Sequence, residues 1–186
     1  MTLHLVVGLP GAGKTTRAKE LEVGEPALRL TPDDWQRAIF ADDGPTRWRS
    51  PERVDQRDRV EGLLVGVGLR AARLGVDVVL DLGLWSRDER SALRSIAESL
   101  GVRTRVVYLP IDPDEQRRRV AARSEGGVGQ LEMSDAELDG WRAQFEVPDE
   151  AELSGSDLTP APPGYPSWAA WACERWPSLE LPTPEF

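Results

Sequence analysis

The chain reads as an α/β domain built on a mainly parallel sheet, and three observations carry that prediction. Four short, largely apolar runs, Leu3 to Val7, Ala27 to Leu30, Val76 to Leu80 and Val102 to Leu109, have the composition of strands inside a covered sheet. Helix-compatible stretches with recognisable starts and stops alternate with these runs, which is the βαβ rhythm. The first run leads without a break into Gly8-Leu9-Pro10-Gly11-Ala12-Gly13-Lys14-Thr15-Thr16, and then into a helix-forming stretch that reaches Leu21. At 186 residues and 40% hydrophobic content, the chain is long enough for one such domain with a modest appendage.

The junction between the first strand and the first helix has the spacing G-x-x-x-x-G-K-[ST], a Walker A motif. Its glycines let backbone N–H groups face a phosphate, and the helix that starts near Lys14 points its partially positive end at the same anion. Lys14 adds a full charge near the β- and γ-phosphates, and Thr15 offers a hydroxyl to Mg²⁺. Gly8, Pro10, Gly11, Ala12, Gly13, Lys14, Thr15 and Thr16 are therefore the expected nucleotide-binding residues. No guanine-specifying motif stands out, so ATP is the default nucleotide and Mg²⁺ its companion.

Composition narrows the chemistry. A formal net charge of -9 disfavours a broad electrostatic grip on nucleic acid. Cys173 and His4 are the only residues of their types, which leaves no intrachain disulfide and no Cys/His zinc site. Carboxylates, arginines and a metal ion must do the work. No charged-then-apolar leader opens the sequence and no apolar run reaches membrane-spanning length, so cytoplasmic residence without membrane contact is expected.

After the second strand, Thr31-Pro32-Asp33-Asp34-Trp35 looks like a helix start, with Thr31 as cap and Asp34 closing a capping-box-like arrangement. That role explains Asp34 better than Asp33. A phosphotransferase needs a carboxylate at such a place to accept the acceptor hydroxyl's proton. The loop from Asp42 to Ser50 either covers an acceptor site or simply connects. Pro51 then opens a long helix that runs towards Leu74, in which Gly62, Gly66 and Gly68 permit close packing. The third strand ends at Asp81, placed either as a Walker B carboxylate holding a Mg²⁺-bound water or as a solvated strand-end acid. Trp85 and Arg87 follow on the loop where open α/β sheets place their ligands, ahead of a Ser86-x-x-Glu89 capping box. Their alternative roles are an exposed anchor and a helix-start charge.

Arg119 and Arg123, four apart on the helix after the fourth strand, share a face that either clamps phosphate or is simply solvated. Gly126-Gly127-Val128-Gly129 after them reads as a hinge for a lid. Ser134 to Phe145 is a further helix. From Pro148 to Pro166 the composition turns to Pro, Ser, Gly and acid, an extended wrap or linker. The stretch from Ser167 to Trp176 is helix-compatible, and its Trp168, Trp171 and Trp176 suit docking on the core, with a partner surface as the alternative.

The order of these motifs from Leu3 to Arg123 resembles the small P-loop kinases similar to the kinase domain of phage polynucleotide 5′-kinase, the AAA-type predicted kinases. The resemblance implies a three-layer P-loop NTPase sandwich with strand order 2-3-1-4, Asp33 of Asp33-Asp34-Trp35 as general base, Asp81 as the metal-site carboxylate, and Arg119 and Arg123 as lid arginines. One departure is plain: polynucleotide kinases have an arginine three residues after the base, whereas here Gln36 stands there with Arg37 beside it. The expected organisation is a kinase domain over 1–147, with its lid at about 112–147, and a C-terminal extension over 148–186. Lys14, Asp33, Arg119 and Arg123 are the expected catalytic residues, Thr15 and Asp81 the metal residues, and Asp34, Trp35, Arg37, Trp85 and Arg87 the acceptor-side residues. The expected activity is transfer of the γ-phosphoryl of ATP to the hydroxyl of a small molecule. A polynucleotide 5′-hydroxyl kinase and a nucleotide-dependent switch are the alternatives.

Overall fold

The computed structural model describes residues 1–40, 50–124, 133–156 and 158–182. The loop from Asp42 towards Ser50 and the Gly126 to Gly129 hinge expected from sequence lie outside the described residues, apart from Ser50 itself. Four strands, β1 (Thr2–Val7), β2 (Ala27–Leu30), β3 (Asp77–Gly83) and β4 (Arg103–Tyr108), form one sheet in the order β2-β3-β1-β4. All neighbours are parallel, with Leu5 opposite both Leu80 and Val106. This is the expected order. It gathers every strand's carboxyl end at one edge and puts the crossover helices on both faces.

Side chains of β1 alternate between two cores, as a period of two requires. On one face Val6 meets Ala18 and Leu21 of α1 (Lys14–Gly24) and Val79 of β3. On the other, Leu3, Leu5 and Val7 join Val78 and Leu80 under α3 (Pro51–Arg73) and α4 (Arg87–Ser99). Helix–sheet–helix layering follows. Ser50 caps α3 by accepting from the Arg53 amide, and Ser86 and Glu89 close a capping box on α4. Two further helices, α5 (Pro113–Ser124) and α6 (Asp135–Gln144), follow β4. No described helix is long and apolar enough to cross a membrane.

Two local expectations change. The Thr31 hydroxyl does not cap α2 (Pro32–Phe40): it accepts from Arg29 and donates to Asp81 Oδ2 at 3.4 Å, while Asp34 pairs with arginines instead of closing a box. The segment read as an extended wrap contains a short helix, α7 (Glu150–Ser154), capped by Asp149 in a capping box with Glu152. Its anchor is tertiary. Glu152 accepts from Arg90 at 2.7 and 3.1 Å, with both side chains buried.

The tryptophan-bearing helix α8 (Trp168–Arg175) docks on the core, as its spacing suggested. Trp176 is fully buried and its indole N–H donates to Glu61 at 3.4 Å. A Cβ on Gly62 would stand 3.0 Å from the Leu179 amide nitrogen and 3.1 Å from Trp176 Cβ, so the missing side chain makes the room for this segment. Around the contact Arg175 bridges Asp58 at 3.1 Å, Glu89 at 2.8 Å and Glu61 at 3.6 Å. Burial nevertheless outweighs these cations and pushes the Glu61 carboxyl up to about 7.

Candidate active site

β1 delivers the chain to the carboxyl edge of the sheet, where Gly8 begins the phosphate loop. A Cβ there would meet the Leu109 carbonyl oxygen at 2.9 Å, so only glycine lets the loop pass the end of β4. Gly13 takes the left-handed conformation (φ +94°) that turns the backbone into α1 at Lys14. The loop therefore ends at a helix N-terminus, with its amides free of intrahelical partners.

Lys14 donates to the Leu9 carbonyl at 3.2 Å. Burial lowers its pKa, Asp81 and then Asp33 oppose that shift, and Arg123 adds to it. One electrostatic neighbourhood thus holds Lys14, Asp81, Asp33 and Arg123, which come from the phosphate loop, the end of β3, the start of α2 and the end of α5. Asp81 is buried at the end of β3, and burial raises its carboxyl pKa against the pull of a Thr15 hydrogen bond and of Lys14. A buried carboxylate beside a hydroxyl, its pKa still raised despite Lys14 and Arg29, fits a divalent cation. Among the described residues no group of three or more His, Cys, Asp or Glu is placed to hold a metal ion.

The two adjacent aspartates of α2 have different surroundings. Asp34 accepts from Arg29 at 3.2 Å and from Arg37 at 3.2 Å. The carboxylate of Asp33 is exposed and makes no hydrogen bond or ion pair among the described residues. Arg37 also donates to the Asp33 carbonyl at 3.1 Å, so both Asp34 and Arg37 brace the turn that presents Asp33. Trp35 lies exposed on the same helix.

Across the loop, Arg119 of α5 donates to the Gly11 carbonyl at 3.3 Å and to Glu115 at 2.5 Å. Arg123, one turn on, is exposed. Beneath them is a support that the sequence did not suggest. Gln116, only 1% exposed, donates to the Pro10 carbonyl at 3.1 Å and accepts from Arg142 of α6 at 2.6 Å. A glutamine in an arginine-rich run carries no signal of such burial; only the folded neighbourhood reveals it.

On the other side, the loop after β3 wraps Lys14: a Cβ on Gly83 would lie 3.3 Å from Trp85 Nε1 and 3.9 Å from Lys14 Cε. Trp85 packs against Trp141 of α6, ring centroids 5.8 Å apart. Leu84 holds a left-handed φ of +43°, the one non-glycine residue to do so among those described. Arg90 secures this turn by donating to the Leu84 and Trp85 carbonyls at 3.1 and 3.3 Å. Trp85 thus lies on the Lys14 side of this loop, whereas Arg87 pairs with Asp149 of the C-terminal extension at 3.0 Å.

The segment that contains all of these loops, residues 3–148, matches the family model described as an AAA domain. The chain belongs to the AAA domain family. No curated protein matches its sequence at a significant level. Among solved structures, this AAA domain is similar to a chain of the Pnkp1/Rnl/Hen1 RNA repair complex (TM-score 0.60, 18% identity), covering 87% of its own length but only 48% of that chain. It is also similar to a gluconokinase from Sinorhizobium meliloti 1021 (TM-score 0.55, 17% identity, 96% of this chain and 91% of that one). Kti12 from Chaetomium thermophilum, in complex with ADP-AlF3, matches with a TM-score of 0.52 and 15% identity, over 83% of this chain and 94% of that one. The fold is that of the P-loop kinases, with the four-stranded parallel order already described.

Proposed function

We propose that this AAA domain is a kinase that transfers the γ-phosphoryl of ATP to a hydroxyl group of a small molecule. The observation that carries the reading is the contrast between Asp33 and Asp34: one carboxylate is clamped by two arginines and its neighbour is left unpaired and exposed beside Lys14 and Asp81. A nucleotide switch has no use for such a base; a phosphotransferase needs one. Similarity to a gluconokinase and to a protein bound to ADP-AlF3 supports an ATP site and a hydroxyl acceptor.

In this mechanism the loop from Gly8 to Thr16 binds the triphosphate, with Lys14 on its β- and γ-phosphates. Thr15 and Asp81 would hold Mg²⁺, Asp81 through water, and the ion would supply charge neutralisation on the phosphates. Asp33 orients the acceptor hydroxyl and takes its proton as the oxygen attacks the γ-phosphorus in line, and the β–γ bridging oxygen leaves with ADP. Arg119 and Arg123 balance the charge spread over the transferred group. Trp85 and Trp35 flank the entry for the acceptor, and Asp34 and Arg37 set the position of Asp33. Catalysis here is positioning and electrostatics.

The test is ADP release from Mg-ATP by wild type, Asp33→Asn and Asp34→Asn, with pooled nucleosides, sugars, aminoglycosides and 5′-hydroxyl oligonucleotides, following phosphate transfer by mass. Asp33→Asn is expected to lower acceptor-dependent turnover by about 10²–10⁴ while ATP affinity holds. Asp34→Asn should cost far less. Equal turnover in Asp33→Asn and wild type would remove the base from the mechanism. Similarity to a chain of an RNA repair complex favours a second reading, a polynucleotide 5′-hydroxyl kinase. In that case the oligonucleotide pool alone should accelerate turnover, with binding that weakens steeply as salt rises.

A further inference from the structure

At the amino end of the sheet, away from the phosphate loop, β4 and the last turn of α7 enclose a cavity of about 310 Å³. β4 is an edge strand, so some of its backbone groups face away from β1 and are open to whatever lies beyond it. Arg94 of α4 lines this space. It is 3% exposed and makes no hydrogen bond or ion pair among the described residues.

The contrast with Arg90, one helical turn earlier and equally buried, is informative. Arg90 is satisfied by two bonds to Glu152 and two to backbone carbonyls. A guanidinium carries five donors and cannot shed its charge, so one set this deep with no protein acceptor offers its donors to whatever occupies the cavity. Glu152 borders the same cavity but accepts from Arg90 and the Asp149 amide and makes no hydrogen bond with Arg94. Arg103 and Arg105, also on β4, alternate with Val107 onto the α1 face of the sheet, where Arg105 pairs with Glu25 at 3.4 Å. Thr104, which also lines the cavity and shares the α4 face with Val106, makes no side-chain hydrogen bond among the described residues. Arg94 and Thr104 thus share the α4 side of this cavity, and neither side chain has an acceptor among the described residues.

We propose that this cavity is an anion-binding site, separate from the phosphate loop, that takes a phosphate group with Arg94 as its central ligand. A forked guanidinium with a hydroxyl on the same face of the sheet matches the several oxygens of a tetrahedral phosphate. The volume is at the lower end of the range for small-molecule sites, enough for the phosphate of a small metabolite together with the carbons it is attached to. Inorganic phosphate and a phosphomonoester share the chemistry recognised here.

The experiment is calorimetric titration of the full chain, saturated with Mg-AMPPNP so that the phosphate loop is filled, with inorganic phosphate and with glycerol 3-phosphate at constant ionic strength. Saturable single-site binding is expected, weakened about tenfold or more by Arg94→Gln. Circular dichroism would establish that each variant folds. Lys14→Ala, which disables the phosphate loop, should bind both probes at this site as wild type does, so failure of the kinase reading leaves the result intact. Tighter binding of the ester than of phosphate would identify a phosphorylated metabolite as the ligand, and equal binding would identify the anion itself. Absence of saturable binding, or full affinity in Arg94→Gln, would overturn the proposal.

Discussion

Asp81 is a carboxylate in a place that suits it poorly even with Lys14 and Arg29 near. Burial at the end of β3 raises its pKa above the ordinary aspartate value, and the Thr15 hydroxyl and Lys14 only partly offset that. A carboxyl group with a raised folded-state pKa contributes stability at low pH that is lost as pH rises through that pKa. Asp81→Asn should therefore unfold, without ligand, at the same or a higher temperature than wild type, with a difference that grows as pH rises above the ordinary aspartate range. The same variant should lose the Mg²⁺-dependent part of the stabilisation given by ATP. Thermal scans with ATP, with and without Mg²⁺, check both; a lower unfolding temperature with an undiminished Mg²⁺ increment would sink the assignment. Legibility at this scale followed locality. The phosphate loop could be read because its chemistry sits in consecutive residues, and Asp33 was separated from Asp34 by one capping argument, although Thr31 proved to bond Asp81 rather than cap. Arg90, Glu152 and Gln116 could not be read, because charge and polarity announce exposure and their partners lie 62 and 106 residues away.

Among the helices, the contact of α8 with α3 and α4 concentrates the largest fully buried side chain, Trp176, and a carboxyl that burial pushes up to about 7, Glu61. Tryptophan spacing predicted docking, and glycines in α3 predicted a close approach. That each explains the other became visible only when Gly62 was found against Trp176. α7 was illegible, being five residues held by a cap and by one distant arginine. Glu61, with a pKa raised from 4.5 to about 7, faces Arg175 and the Trp176 indole from α8, Arg57 and Asp58 from α3, and Glu89 from α4. Its contribution to stability is complete below about pH 4.5 and lost as pH rises through 7, a penalty on the order of 3 kcal/mol above that point. Glu61→Gln keeps an acceptor for the indole and removes the charge. Urea unfolding at pH 5 and pH 8 should show the variant gaining on wild type by most of that amount at the higher pH. A pH-independent difference would mean that Arg175 already neutralises Glu61.

At the scale of the molecule, the family match stops at residue 148, but the architecture does not. Beyond it lie Glu152, which neutralises Arg90, and Trp176, which fills the space over Gly62. A chain ended after Pro148 would leave a guanidinium buried without its acid and an apolar face of α3 and α4 bare, losses of the kind that unfold marginally stable domains. Calorimetry of that truncated chain should give a broad, weakly cooperative transition; a sharp one near the full-length temperature would show the extension to be dispensable. The position of β1 has a consequence of another kind. Flanked on both sides by parallel partners and covered on both faces, its amides are protected from solvent until the sheet itself opens. The phosphate loop hangs from the end of that strand, so its root cannot fray or melt on its own: it stays formed for as long as any native population survives, and vanishes with it.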